Sequence, residues 1–170
     1  MVDKIRVGIL TVSDRCSAGT LPDLSGPEIR KTLPSDLCQV VLYACVPDEK
    51  PIIQDTLKRW ADECLCDVLL TTGGTGLAPR DVTPEATEKI LERRVPAIAT
   101  HIYLASRDQT LFACLSRGTA GTRGRTLIIN LPGSPSGARD GTRALIPVLA
   151  HAVALVQGDN SSHGRGDENA

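Results

Sequence analysis

The stretch from residue 67 to residue 85 constrains this chain more than any other. Residues 67–72, Asp-Val-Leu-Leu-Thr-Thr, form a short run rich in leucine and β-branched residues, the mark of a strand buried on both faces as in parallel sheets. Gly73, Gly74 and Gly76 follow at once. Thr83-Pro84-Glu85 then reads as a helix start, with Thr83 at the N-cap, Pro84 at the first helical position and Glu85 beside the positive end of the dipole. The glycines permit positive φ angles and let a ligand approach the main chain with no Cβ in the way. Successive N–H groups of such a turn can point together at an anion, and Asp81 sits beside them just ahead of the helix. The spacing is neither Gly-x-Gly-x-x-Gly nor Gly-x-x-x-x-Gly-Lys-Ser/Thr, which disfavours a Rossmann dinucleotide site and a P-loop. Taken alone, the turn fits a simple corner as well as a phosphate cradle.

Three more runs rich in Val, Ile and Leu, at residues 4–13, 39–46 and 126–131, are predicted strands. Between them apolar residues recur at helical spacing over residues 25–33, 51–63, 83–93, 96–106 and 138–156, as with Ile53, Leu57 and Trp60. Strands alternating with helices predict an α/β fold, a three-layer sandwich with a mostly parallel sheet and right-handed crossovers. Ligands of such sheets gather beyond the carboxyl ends of the strands.

A chain of 170 residues, 41% hydrophobic, suits one domain, expected over residues 1–157. Residues 158–170 are too polar to pack and are expected to be a disordered tail, in which Arg165-Gly166-Asp167 reads as a chance tripeptide. A net charge of -1 and 2% aromatic residues argue against a nucleic-acid partner. No apolar run approaches the roughly 20 residues that span a bilayer, and residues 4–13 read as a strand instead of a signal peptide, so a cytoplasmic protein with no membrane insertion is expected. The six cysteines are irregularly spaced in apolar surroundings, which predicts small reduced core residues and neither disulfides nor a metal site.

Polar residues stand at the carboxyl end of each predicted strand. The first ends in Ser13 and Asp14, with Asp23 and Ser25 further on; the second reaches Asp48 and Glu49; the third enters the glycine loop; the last runs Asn130-Leu131-Pro132-Gly133-Ser134. On one edge of a parallel sheet these groups would supply backbone donors for phosphate and two oxygen ligands for a hydrated Mg²⁺, with Asp48 and Asp81 best placed. Each also has a plainer reading: Asp48 fits the N-cap region of the next helix, and Asp14, Asp23 and Pro132-Gly133 fit turns. Arg117, Arg123 and Arg125 fit either a surface loop or an anionic substrate. His101 and His151 fit helix packing.

With these residues in view, the chain resembles the molybdopterin adenylyltransferase family, which includes MogA-type enzymes and the G domains of plant Cnx and of gephyrin. The likeness runs over residues 4–157 through Thr-Val-Ser-Asp, Asp-x-Ser-Gly, Val-Pro-Asp-Glu, the long Thr-Thr-Gly-Gly-Thr-Gly-x-x-Pro-Arg-Asp-Val-Thr-Pro-Glu-Ala-Thr motif, Leu-Ser-Arg and Leu-Ile-Ile-Asn-Leu-Pro-Gly-Ser. It implies a MogA/MoaB-like fold and transfer of AMP from Mg-ATP to the terminal phosphate of molybdopterin, with release of pyrophosphate. It puts the essential, metal-holding aspartates at Asp48 and Asp81 and a pterin contact at Ser116. It places ATP on Gly73, Gly74, Thr75 and Gly76 and on Pro132 and Gly133, with Ser13, Asp14, Arg117, Asn130 and Ser134 beside them. A homotrimer and a MoeA-type molybdenum insertase as partner are also implied. The chain departs from the family pattern at Pro96-Ala97 and over residues 107–112. Two other readings are a trimeric scaffold module like the gephyrin G domain, and pterin binding without catalysis.

Overall fold

The computed structural model describes residues 4–158; the rest of the expected tail, including Arg165-Gly166-Asp167, lies outside the described residues. In chain order the elements are β1 (Ile5–Val12), α1 (Asp14–Ser17), α2 (Ser25–Thr32), β2 (Cys38–Val46), α3 (Lys50–Asp62) and β3 (Val68–Thr72). They continue with α4 (Thr83–Ile90), β4 (Arg93–Arg94), α5 (Pro96–Ser106), a 3₁₀ turn (Leu111–Leu115), β5 (Ala120–Arg123), β6 (Thr126–Leu131) and α6 (Pro135–Val156). One six-stranded sheet has the order β2-β1-β3-β6-β5-β4. The β2-β1-β3-β6 pairs are parallel, and β5 and β4 add an antiparallel edge.

The central strands are apolar on both faces because both faces are covered. Val7, Ile9, Val68, Leu70, Ile129 and Leu131 pack under α2, α5 and α6, whose contribution includes Ile29, Ile102 and Leu145. The alternate residues Leu10, Val12, Leu69 and Ile128 pack under α3 and α4, against Ile53, Leu57, Trp60 and Ile90. This is the expected three-layer sandwich. From β1 the chain goes to β2 on one side and then to β3 on the other, so the gap between β1 and β3 is the point where the winding reverses.

Several local expectations are corrected. The predicted helix over 83–93 stops at Ile90: Leu91 is extended, and the Glu92 and Val95 amides donate to the Thr122 and Ala120 carbonyls at 2.9 and 2.8 Å. That pull creates the β4–β5 pairing, which no sequence pattern announced. Thr83 is not the N-cap, a position taken by Val82; it lies inside α4, buried, and its hydroxyl donates to the Gly73 carbonyl at 2.8 Å. The last helix begins at Pro135, earlier than expected, because Ser134 caps it by accepting from the Gly137 amide at 3.1 Å. Of the cysteines expected in the core, Cys38 and Cys66 are buried, Cys16 and Cys45 half-buried, and Cys64 and Cys114 exposed.

Candidate active site

The four parallel strands deliver their carboxyl ends to one edge, and two adjoining clefts open there. The larger, about 820 Å³, runs from Gly74–Gly76 and Asp81 past Ser116 to Ser134 at the start of α6. The smaller, about 450 Å³, lies at the β1/β3 reversal point and is lined by Ser13, Asp14, Asp23, Asp48 and Gly73 among others. Gly74, Asp81 and Gly133 belong to both. Of the residues that the family resemblance put at the site, all line one cleft or the other except Arg117; Arg123 and Arg125, also considered for an anionic substrate, line neither.

The partition between the clefts is main chain. Gly73 and Gly74 take φ of 97° and 63°, as expected of the loop, whereas Gly76 does not enter the positive region. A Cβ on Gly73 would lie 2.1 Å from the Val12 carbonyl oxygen, and one on Gly133 would lie 3.1 Å from the Gly73 Cα. The ends of β1, β3 and β6 therefore touch backbone to backbone. The Thr72 hydroxyl donates to the Pro132 carbonyl and the Ser25 hydroxyl to the Gly133 carbonyl, both at 2.7 Å, which fixes the β6 turn against the loop.

Around this partition stand the carboxylates. Asp14 and Asp48 exchange bonds, the Asp14 amide donating to Asp48 Oδ2 at 2.8 Å and the Asp48 amide to Asp14 Oδ1 at 3.0 Å. Asp48 does not cap α3; the N-cap position is Glu49. Arg80 lies across the rim, with Nε and Nη2 on Asp14 at 2.9–3.1 Å and Nη1 on Glu49 at 3.0 Å. Its guanidinium holds the Asp14 carboxyl below the usual range, helped by the Asp48 amide. Asp48 is shifted the other way: burial raises it first, and the negative charges of Asp14 and Asp81 add to this beyond what the Asp14 amide offsets. Asp81 Oδ2 accepts from the Ala78 amide at 2.9 Å.

Arg117 acts from behind. Its amide donates to the Thr75 carbonyl at 2.9 Å, its Nε to the Gly76 carbonyl at 2.7 Å and its Nη2 to the Asp81 carbonyl at 2.6 Å, and it pairs with Glu85. Asn130 is buried, donating to Thr71 and Thr87 hydroxyls at 2.8 and 3.0 Å and accepting from the Thr119 amide at 3.2 Å. Arg123 and Arg125 flank the β5–β6 turn at the opposite end of β6, where Arg123 pairs with Asp62 at 2.7 Å. His101 Nε2 meets the Ala144 carbonyl at 2.8 Å, a packing contact between α5 and α6.

Some participants escaped the sequence reading. Arg80 was visible only as part of a motif. Asp23, named from the sequence both at this edge and as a turn residue, shapes the turn by accepting from the Ser25 and Gly26 amides at 3.0 Å; its bonds from the Thr11 hydroxyl at 2.5 Å and from the Tyr43 hydroxyl had no sequence signal. Burial pushes its carboxyl up, but these donors outweigh it and hold it below the ordinary value.

Among the described residues no three His, Cys, Asp or Glu side chains are grouped to hold a metal by themselves. The Asp48 and Asp81 pair still suits a hard cation of the Mg²⁺ kind, which takes one or two carboxylates and fills its other positions with phosphate oxygens and water. Asp48 gains most, since its half-buried charge faces other carboxylates.

Residues 8–151 match the family described as "Probable molybdopterin binding domain". The chain is 41% identical over 157 residues to the molybdopterin adenylyltransferase of Helicobacter pylori strain 26695, covering 91% of this chain and 89% of that one. It is 45% identical over 161 residues to the molybdenum cofactor synthesis protein cinnamon of Drosophila melanogaster, covering 94% of this chain but only 27% of that longer protein. Among solved structures, the molybdopterin biosynthesis enzyme MoaB of Thermus thermophilus superimposes with a TM-score of 0.86 at 52% identity, covering 91% of this chain and 97% of that one.

Proposed function

The chain belongs to the molybdopterin-binding domain family, and from that premise we propose that it is a molybdopterin adenylyltransferase of molybdenum cofactor biosynthesis. In the proposed reaction an oxygen of the terminal phosphate of molybdopterin bonds to the α-phosphorus of ATP. The bond from that phosphorus to the bridging oxygen breaks, and pyrophosphate leaves with the electron pair. The observation that carries the reading is the meeting of two clefts at Gly74, Asp81 and Gly133, which gives two phosphate-bearing substrates a common boundary.

Transfer at phosphorus asks a protein for positioning and charge neutralisation, with no side-chain nucleophile. The Gly73–Gly76 amides and the start of α6, capped by Ser134, offer N–H donors to phosphate oxygens. Asp48 and Asp81 would hold Mg²⁺, which supplies neutralisation of the charge on the phosphates. Asp14 keeps Asp48 in position through the paired amide bonds, and Arg117 fixes the loop that carries Asp81. Ser116, on the wall of the larger cleft, would contact the pterin substrate. We further place the reaction in the cytoplasm, in a homotrimer that hands its product to a MoeA-type insertase; no helix among the described residues is long and apolar enough to cross a membrane.

The test is incubation of the protein with Mg-ATP and molybdopterin. Pyrophosphate release and an adenylated pterin are expected. Absence of both, with no ATP binding by calorimetry, would overturn the reading.

A further inference from the structure

Aromatic rings are scarce in this chain: one Phe, one Trp and two Tyr. Trp60 is core and Tyr43 is bound to Asp23, yet the remaining two, Tyr103 and Phe112, both line the larger cleft. Phe112 is 75% exposed and Tyr103 38% exposed. Leaving the only Phe of a protein in water forgoes one of the largest burial contributions a side chain can make.

The ring is not on a loose segment. Thr110 caps the 3₁₀ turn by accepting from the Phe112 amide at 3.3 Å, and the Thr110 amide is tied back to the Ser106 carbonyl of α5 at 3.2 Å. Tyr103 stands on α5 itself. Ala99, Ile102, Ala113 and Leu115 extend the apolar lining, while Thr75, Asp81 and Ser116 supply its polar groups. Such a cleft fits a molecule with a flat ring and a phosphate-bearing tail.

We propose that Phe112 and Tyr103 form an aromatic wall on which the planar heteroaromatic ring of one substrate, the pterin or the adenine, stacks. The inference rests on the adenylyl-transfer reading above, which brings both rings to this edge of the sheet. Aromatic stacking on a heterocyclic base is sequence-tolerant and depends on a π-face, which an aliphatic side chain of similar area lacks.

Calorimetric titration of the wild type and of Phe112→Ala, Phe112→Leu, Phe112→Tyr and Tyr103→Leu tests it, using free pterin and Mg-ATP as separate probes. Phe112→Ala and Phe112→Leu are expected to weaken one of the two by about tenfold, Phe112→Tyr to keep it, and Tyr103→Leu to weaken the same one. The affected probe identifies which ring occupies the wall. Phe112→Leu binding both probes as tightly as wild type would overturn the proposal. So would unchanged affinities with an altered sedimentation coefficient, which would make Phe112 a contact between copies. A wild type that binds neither probe would remove the adenylyl-transfer reading and the wall with it, whereas binding of both with no effect of Phe112 removes the wall alone.

Discussion

Replacing Gly74 with alanine tests how rigidly the partition between the clefts is built. Gly74 has φ of 63°, and its added Cβ would lie 2.4 Å from Thr83 Oγ1 and 2.9 Å from Asp48 Oδ1. A left-handed alanine costs about 1–2 kcal/mol. Thr83 is fully buried and its hydroxyl is committed to the Gly73 carbonyl, so it has nowhere to turn. Displacing it forfeits a hydrogen bond of about 0.5–1.5 kcal/mol, and forcing the methyl in costs a further 1–3 kcal/mol, roughly. The sum, about 2.5–6.5 kcal/mol, is a large share of the ~5–15 kcal/mol that holds a domain together. Gly124→Ala is the control, because Gly124 also has positive φ, 53°, but nothing lies within 4 Å of its Cβ position. It should lose only the left-handed penalty of about 1–2 kcal/mol. Urea unfolding of both variants isolates the steric part, expected at about 1.5–4.5 kcal/mol. A difference below about 1 kcal/mol would refute the reasoning, since the loop would then yield to a side chain instead of resisting it.

Asp81→Asn should leave the unfolding midpoint near wild type and lower the rate of pyrophosphate release by about 10²–10³, as the loss of one group that stabilises developing charge does. Asp48 has its carboxyl raised, so its neutral form favours folding below about pH 4 and that advantage is lost as pH climbs through the raised value. Asp48→Asn should therefore melt higher than wild type at pH 7, with the gap closing by about pH 3, while turnover is lost; a lower melting temperature at pH 7 contradicts the burial argument. Asp14 has the opposite sign: its lowered carboxyl adds stability above about pH 4 that disappears as pH falls through the lowered value. Arg80→Ala should return the Asp14 titration, followed by carboxyl-carbon NMR, toward the ordinary range, and an unmoved curve would mean that the Asp48 amide alone sets it.

The parallel half of the sheet was legible because strands covered on both faces have to be apolar throughout, as Val68–Thr72 and Thr126–Leu131 are. The antiparallel edge was not. Ala120–Arg123 reads Ala-Gly-Thr-Arg and Arg93–Arg94 is only two residues, so pairing between them is decided by where β6 lies, not by local preference. The same pairing draws the end of the predicted 83–93 helix out of its coil. At the site, Asp48 after β2 and Asp81 in the loop before α4 were expected at the sheet edge by type and place, and both line the clefts there. The exchange of bonds between Asp14 and Asp48 joins residues far apart in the chain and has no sequence signal. Arg80 and Arg123 are alike as residues; one meets the cleft rim and the other Asp62 only because of the strand order. The apolar and polar alternation of residues 96–112 likewise gave no hint that Tyr103 and Phe112 face one space.

The backbone contact among the ends of β1, β3 and β6 has a consequence for how the protein can change. A divider made of glycine main chain offers evolution no handle: any side chain placed at Gly73 collides with the Val12 carbonyl, and any at Gly133 crowds Gly73. Adaptation to a new ring or a new tail has to come from the outer rims, at exposed positions such as Leu21 and Phe112. The separation of the two compartments stays fixed while their tenants are free to drift.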